Sequence, residues 1–110
     1  MRSHVIDEVS PKDMEKIIHY LDQKALHSTM ESIYWKEIPE DLYSKRQGEH
    51  KDCAPYAFAI ELGADWIKLE FFVRSMAHLR CECQDYCTSR QRAFVLGFAD
   101  RIIGDCGIRT

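Results

Sequence analysis

Between Tyr56 and Arg74 the chain alternates twice between apolar and mixed positions. Tyr56, Phe58, Ile60 and Leu62 interleave with Ala57, Ala59 and Glu61, and Ile67, Leu69, Phe71 and Val73 interleave with Trp66, Lys68, Glu70, Phe72 and Arg74. A period of two belongs to strands that bury one face. Gly63-Ala64 separates the runs and predicts a type II′ hairpin turn, with glycine in the first central position. Such a turn pairs Ile60 with Ile67, Phe58 with Leu69 and Tyr56 with Phe71. A slip of one residue would send one apolar set to water, so the pattern specifies which side chains share a face. A third strand is expected over 77–83 after a turn at Met76. It would place Leu79, Cys81 and Cys83 on the apolar side, and His78, Arg80 and Glu82 on the other. Its register sets Glu70 opposite Glu82, a like-charge pair that Lys68 and Arg80 would soften.

Helical spacing appears at both ends. Ser10-Pro11 supplies an N-cap and a first helical residue, with Asp13 and Glu15 in the first turn, where the helix dipole favours acids. Met14, Ile17, Ile18, Leu21 and Ala25 then recur at three and four, predicting a helix that ends near Leu26. Thr88 or Ser89 opens a last helix running to about Ile103, with Gly104 placed to end it at positive φ. Its apolar positions (Phe94, Val95, Leu96, Phe98, Ala99, Ile102 and Ile103) cover more than one stripe, so it is expected to be buried on more than one side. Residues 32–38 are rich in β-formers and read as a fourth short strand or an aromatic loop. Residues 40–46 read as one or two helical turns, and 47–53 as a solvated loop. The resulting expectation is a single α+β domain over residues 1–110. It comprises an N-terminal helix, a three-stranded antiparallel meander and a C-terminal helix, with both helices on one sheet face.

Composition sets the class. At 110 residues, with 45% apolar and 30% charged, the chain fits a globular domain rather than a disordered or fibrous one. It is long enough to bury roughly 65% of its unfolded surface. The net charge of −3 is unevenly spread: residues 1–65 hold 8 basic and 13 acidic side chains, and 66–110 hold 7 and 5. The basic half is too diluted by acids for a duplex-binding face. The start of the chain lacks the apolar core of a signal peptide, and no apolar run approaches the about 20 residues of a membrane span. Five cysteines, an odd number, fit a reducing compartment better than a disulfide framework. The expected address is cytoplasmic.

The candidate chemistry lies mostly in these cysteines. His78, Cys81, Cys83 and Cys87 fall within ten residues and are all possible zinc ligands, although their spacing departs from the usual paired C-x₂₋₄-C. On a strand His78 would face away from Cys81 and Cys83. His50, Cys53 and Cys106 complete the set of possible ligands. The expected meander divides the ligands into two groups roughly 20 Å apart: Cys83 with Cys87, and His50, Cys53 and Cys106 with His78 close by. Buried cysteine as a small apolar residue is the competing reading. A Cys53 nucleophile with His50 or His78 lacks any recognisable oxyanion hole or orienting acid. Glu31, Glu37, Glu40 and Asp41 around Tyr34 and Trp35 read as a solvated face rather than a glycosidase pair.

The sequence therefore points to a non-catalytic binding domain without a cofactor, acting as a homodimer or adaptor. Its surface is expected to comprise Tyr34, Trp35, Trp66, Phe72, Arg74 and Arg80. The partner would be a protein or a second copy of the chain, not nucleic acid or a membrane. Two alternatives remain. One is a zinc-binding structural or regulatory module. The other is a single-stranded RNA binder that stacks bases on Phe72 beside Arg80.

Overall fold

The computed structural model describes residues 2–109. Its elements are β1 (Ser3–Ile6), α1 (Pro11–Lys24), β2 (Leu26–His27), β3 (Ile33–Glu37), α2 (Lys45–Glu49), β4 (Tyr56–Leu62), β5 (Ile67–Glu70), β6 (Phe72–Ser75), β7 (Asp85–Tyr86) and α3 (Ser89–Cys106). Single 3₁₀ turns at Glu40–Leu42 and Lys51–Cys53 flank α2. The architecture is α+β, with an open antiparallel sheet of seven strands. Its main path runs β1-β5-β4-β3-β2, and β6 pairs with β4 and β7. The expected three-stranded meander thus understates the sheet. Among the described residues no helix is long and apolar enough to cross a membrane.

The central hairpin forms between the expected segments with a different register. Leu62 faces Ile67 and Ile60 faces Leu69. This is a shift of two residues from the expected pairing, so the same side chains stay on the same face. The turn is centred on Ala64-Asp65, and Gly63 N–H donates to the Trp66 carbonyl at 2.8 Å. Gly63 does not adopt a positive φ. It is needed for space: a Cβ there would lie 2.0 Å from the Trp66 indole.

The partner strand of β4 is interrupted at Phe71. Beyond the break Tyr56 pairs with Ser75 and Ala57 with Arg74, so β6 has slipped two residues further along β4. Phe71 N–H donates to the Arg2 carbonyl at 3.0 Å, and its carbonyl accepts from Cys87 N–H at 2.8 Å. This irregularity re-aims the strand in the manner of a bulge. As a result β6 meets β7.

Residues 77–83 form no strand, which corrects the expected meander. Ser75 Oγ accepts from the backbone N–H of Ala77 at 3.1 Å and of His78 at 2.9 Å. Gln84 Nε2 donates to the carbonyls of Leu79 at 2.8 Å and Cys81 at 3.3 Å, while its Oε1 accepts from Ser75 N–H at 2.9 Å. These two side chains take up the backbone groups that a ladder would need. The Glu70–Glu82 opposition does not arise, and Glu70 instead pairs with Arg74 at 3.3 Å.

Both helices lie on one face, as the pattern implies. Tyr34, which pairs with Ile60, donates to Asp22 of α1 at 2.6 Å. Phe58, on the same face of β4, meets Phe94 and Phe98 of α3 edge-on. Ser10 caps α1 as expected, and Ala25 ends it in extended backbone. Thr88 and Gln91 form a capping box on α3. Gly104 lies inside α3, and the left-handed C-cap is Gly107 at φ 66°. The apolar breadth of α3 is used within the chain: Phe98 packs on Phe58 and near Tyr20, while Gln91 reaches Leu42 and Gln47. Segment 47–53 is not a solvated loop, because Gln47 and Cys53 are buried.

Candidate metal centre

The site begins with a local signal in Ser44-Lys45-Arg46-Gln47. Ser44 Oγ accepts from Gln47 N–H, and Gln47 Oε1 accepts from Ser44 N–H, a capping box that starts α2. Only five residues long, α2 gives way to the 3₁₀ turn that carries Cys53 inward. His50, at the junction, shares that end of the sheet. Ser75 Oγ donates to the Cys53 carbonyl, fastening the turn to the end of β6.

The segment after Ser75 stays at this end. Cys81 and Cys83 therefore approach the turn instead of travelling down a strand. The ligand atoms of His50, Cys53, Cys81 and Cys83 all lie within 4.8 Å of one another. His50 Nδ1 is 3.1 Å from Cys81 Sγ, although the two residues are 31 positions apart in sequence. This corrects the expected division of the cysteines into two distant groups, which assumed a regular third strand. The structure unites two ligands from each of two segments and separates the rest. His78 borders the adjoining groove. Cys87 sits behind β7, and Cys106 on α3 contacts the Lys16 carbonyl at 3.7 Å.

Neighbouring groups differentiate the thiols. Hydrogen bonds from the Cys83 thiol and backbone N–H favour the Cys81 thiolate, and Cys53 and His50 add to them, lowering its pKa to about 6. Burial pushes Cys53 up to about 12, with hydrogen bonding to Cys81 and Cys83 adding to it. Cys87 is raised to about 11 by burial, against the opposing influence of Arg92 and Arg2. The Tyr56 hydroxyl lies 3.2 Å from Cys83 Sγ, 3.1 Å from the His50 carbonyl and 3.3 Å from the Gln47 carbonyl. Burial and the Cys83 contact push its pKa up, so it remains a donor. Gln47 Nε2 also donates to the Cys83 carbonyl, at a long 3.4 Å.

The donor set suits a tetrahedral ion. Zinc–sulfur bonds of about 2.3 Å at tetrahedral angles place the sulfurs about 3.8 Å apart. The cluster's upper limit of 4.8 Å needs only about 1 Å of contraction to reach that value. Three thiolates and one imidazole form a recognised structural zinc set, and Tyr56 stands where a hydrogen bond to a ligating sulfur is useful. Tyr56 and Gln47 were not singled out from sequence as site residues. For Gln47 the Ser-x-x-Gln spacing was a visible signal.

The expected interaction surface is only partly assembled. Trp35, Trp66, Phe72 and Arg74 share the sheet face opposite the helices and are half-buried. Tyr34 is buried at 1% exposure on the helix face, because adjacent strand residues point to opposite sides. Phe72 is edged by Tyr86 and lies beneath Arg74. Arg80 is exposed on the 76–84 loop, where it borders the groove beside Cys53 and Cys81. No protein-family model, curated protein or solved structure matches this chain.

Proposed function

We propose that this chain is a zinc-dependent structural or regulatory module in which His50, Cys53, Cys81 and Cys83 hold one ion. The observation carrying this reading is the convergence of four ligand atoms within 4.8 Å from two segments distant in sequence. Four protein ligands leave no open coordination position, which favours a structural over a catalytic ion. Three thiolates and a neutral imidazole would give the zinc centre a net charge of −1. Tyr56 would donate to the Cys83 sulfur and disperse part of that charge. The ion would tie the Lys51–Cys53 turn to the 76–84 loop, and saturation at 100 times Kd would stabilise the fold by about 2.7 kcal/mol. A cytoplasmic, reducing compartment would keep the thiols available.

Metal analysis of protein purified without chelator tests this reading. About one zinc per chain is expected, and cobalt substitution should give tetrahedral thiolate spectra. Cys53→Ala should lose the ion and Cys106→Ala should keep it. A metal-free protein that also fails to take up cobalt, or equal loss in both variants, overturns the proposal. A protein partner or second copy on the outer sheet face is a second reading, favoured by the half-buried Trp35, Trp66 and Phe72. Sedimentation as a monomer at high micromolar concentration would remove its dimer form.

A further inference from the structure

The four ligands are not equally protected. Cys83 is 1% exposed and lies against the Tyr56 hydroxyl. Cys53 and Cys81 instead border a shallow groove of about 600 Å³, shared with Ala77, His78, Leu79 and Arg80. Cys81 is partly buried there, and Cys53 is the more enclosed of the two at 6% exposure. The groove's rim is open, with Leu79 82% exposed. A small oxidant can therefore reach one ligand while a second thiol waits within 4.8 Å. Disulfide closure requires the two sulfurs to come to about 2.05 Å, a movement that an irregular loop accommodates more readily than a sheet. Cys87 and Cys106 lie outside this arrangement.

We infer that the centre is a peroxide-sensitive zinc site in which Cys81 is oxidised first and Cys53 closes a disulfide onto it, releasing the ion. This inference rests on the zinc reading of the site. In the first step the Cys81 thiolate attacks one peroxide oxygen. A sulfur–oxygen bond forms, the oxygen–oxygen bond breaks, and hydroxide leaves and is protonated to water. In the second step the Cys53 thiolate attacks the sulfenic sulfur. The sulfur–sulfur bond forms, the sulfur–oxygen bond breaks, and a second hydroxide leaves and becomes water. Two thiolate sulfurs are oxidised by two electrons in total, and one peroxide is reduced to two waters. With two of its four ligands joined to each other, the site loses its charge and geometry for zinc.

The test uses the full chain, with zinc content measured before any oxidant is added. Hydrogen peroxide is then titrated in while free zinc is followed with a chromogenic chelator and the cysteines are mapped by mass spectrometry. The expected result is one zinc released per peroxide consumed and a Cys53–Cys81 link. Thiol reductant with added zinc should reverse both. Cys87→Ser and Cys106→Ser should release zinc at the wild-type rate, and Cys81→Ser should leave Cys53 unlinked under the same peroxide dose. Zinc retained under tenfold excess peroxide, first oxidation at Cys87 or Cys106, or a link through Cys83 overturns the inference while leaving the metal site standing. A starting protein that neither contains zinc nor takes it up defeats the zinc reading and this inference together, before the oxidant is added.

Discussion

Replacing Gln47 by alanine should weaken both the fold and the support of the site. The side chain is 1% exposed. Its Oε1 accepts from Ser44 N–H at 3.0 Å and from Gln91 Nε2 at 2.8 Å, and its Nε2 donates to the Cys83 carbonyl at 3.4 Å. Alanine keeps the Gln47 N–H on Ser44 Oγ, so half of the capping box survives. Gln91 Nε2 retains the Leu42 carbonyl at 3.0 Å. Two good hydrogen bonds are lost, each worth about 1 kcal/mol net, and stranding a buried partner costs about 1–3 kcal/mol more. The expected loss is about 3–5 kcal/mol, a large part of the about 5–15 kcal/mol typical of a domain. Urea denaturation in excess chelator measures it free of any metal contribution. Gln91→Ala should couple to it, with the double variant losing about 1 kcal/mol less than the sum. A Gln47→Ala loss below about 0.5 kcal/mol, or strict additivity with Gln91→Ala, would refute the reasoning.

Two further outcomes follow from other parts of the sheet. Gly63→Ala should cost about 1–3 kcal/mol by forcing the Trp66 ring off the glycine, with a red shift of Trp66 fluorescence in a Trp35→Phe background. Unchanged stability and emission would contradict the space argument. Tyr34→Phe removes a hydrogen bond to Asp22 worth about 1 kcal/mol. Burial, then the Asp22 hydrogen bond and charge, raise the Tyr34 pKa from 10.0 to about 12. The folded state therefore favours the neutral phenol. That contribution is fully present below pH 10 and fades as pH rises through about 12. The stability gap between wild type and Tyr34→Phe should narrow over this window. A gap that stays constant or widens would reverse the sign.

Local chemistry was the most legible part of the sequence. Ser10-Pro11 and Thr88 marked the two long helices, and the alternation around Gly63 marked β4 and its partner. Periodicity correctly identified the buried face, but not the pairing, because a shift of two preserves every side chain's orientation. β1 was missed because its four residues, Ser3–Ile6, bury only one large apolar side chain and are defined by pairing with β5. The 77–83 segment alternates like a strand, yet Ser75 and Gln84 capture its backbone. That error concealed the site, since strand geometry separates Cys53 from Cys83 while the loop unites them. The four cluster residues were all visible as residue types; their grouping depended on one tertiary irregularity that leaves no period in the sequence.

The two halves of the cluster lie on opposite sides of the β4–β6 hairpin in chain order, so during synthesis the first pair of donors emerges well before the second. A nascent chain that has presented only His50 and Cys53 would offer an ion at most two of the four donors. Tight capture would wait until Cys83 has left the ribosome and the hairpin has closed behind it.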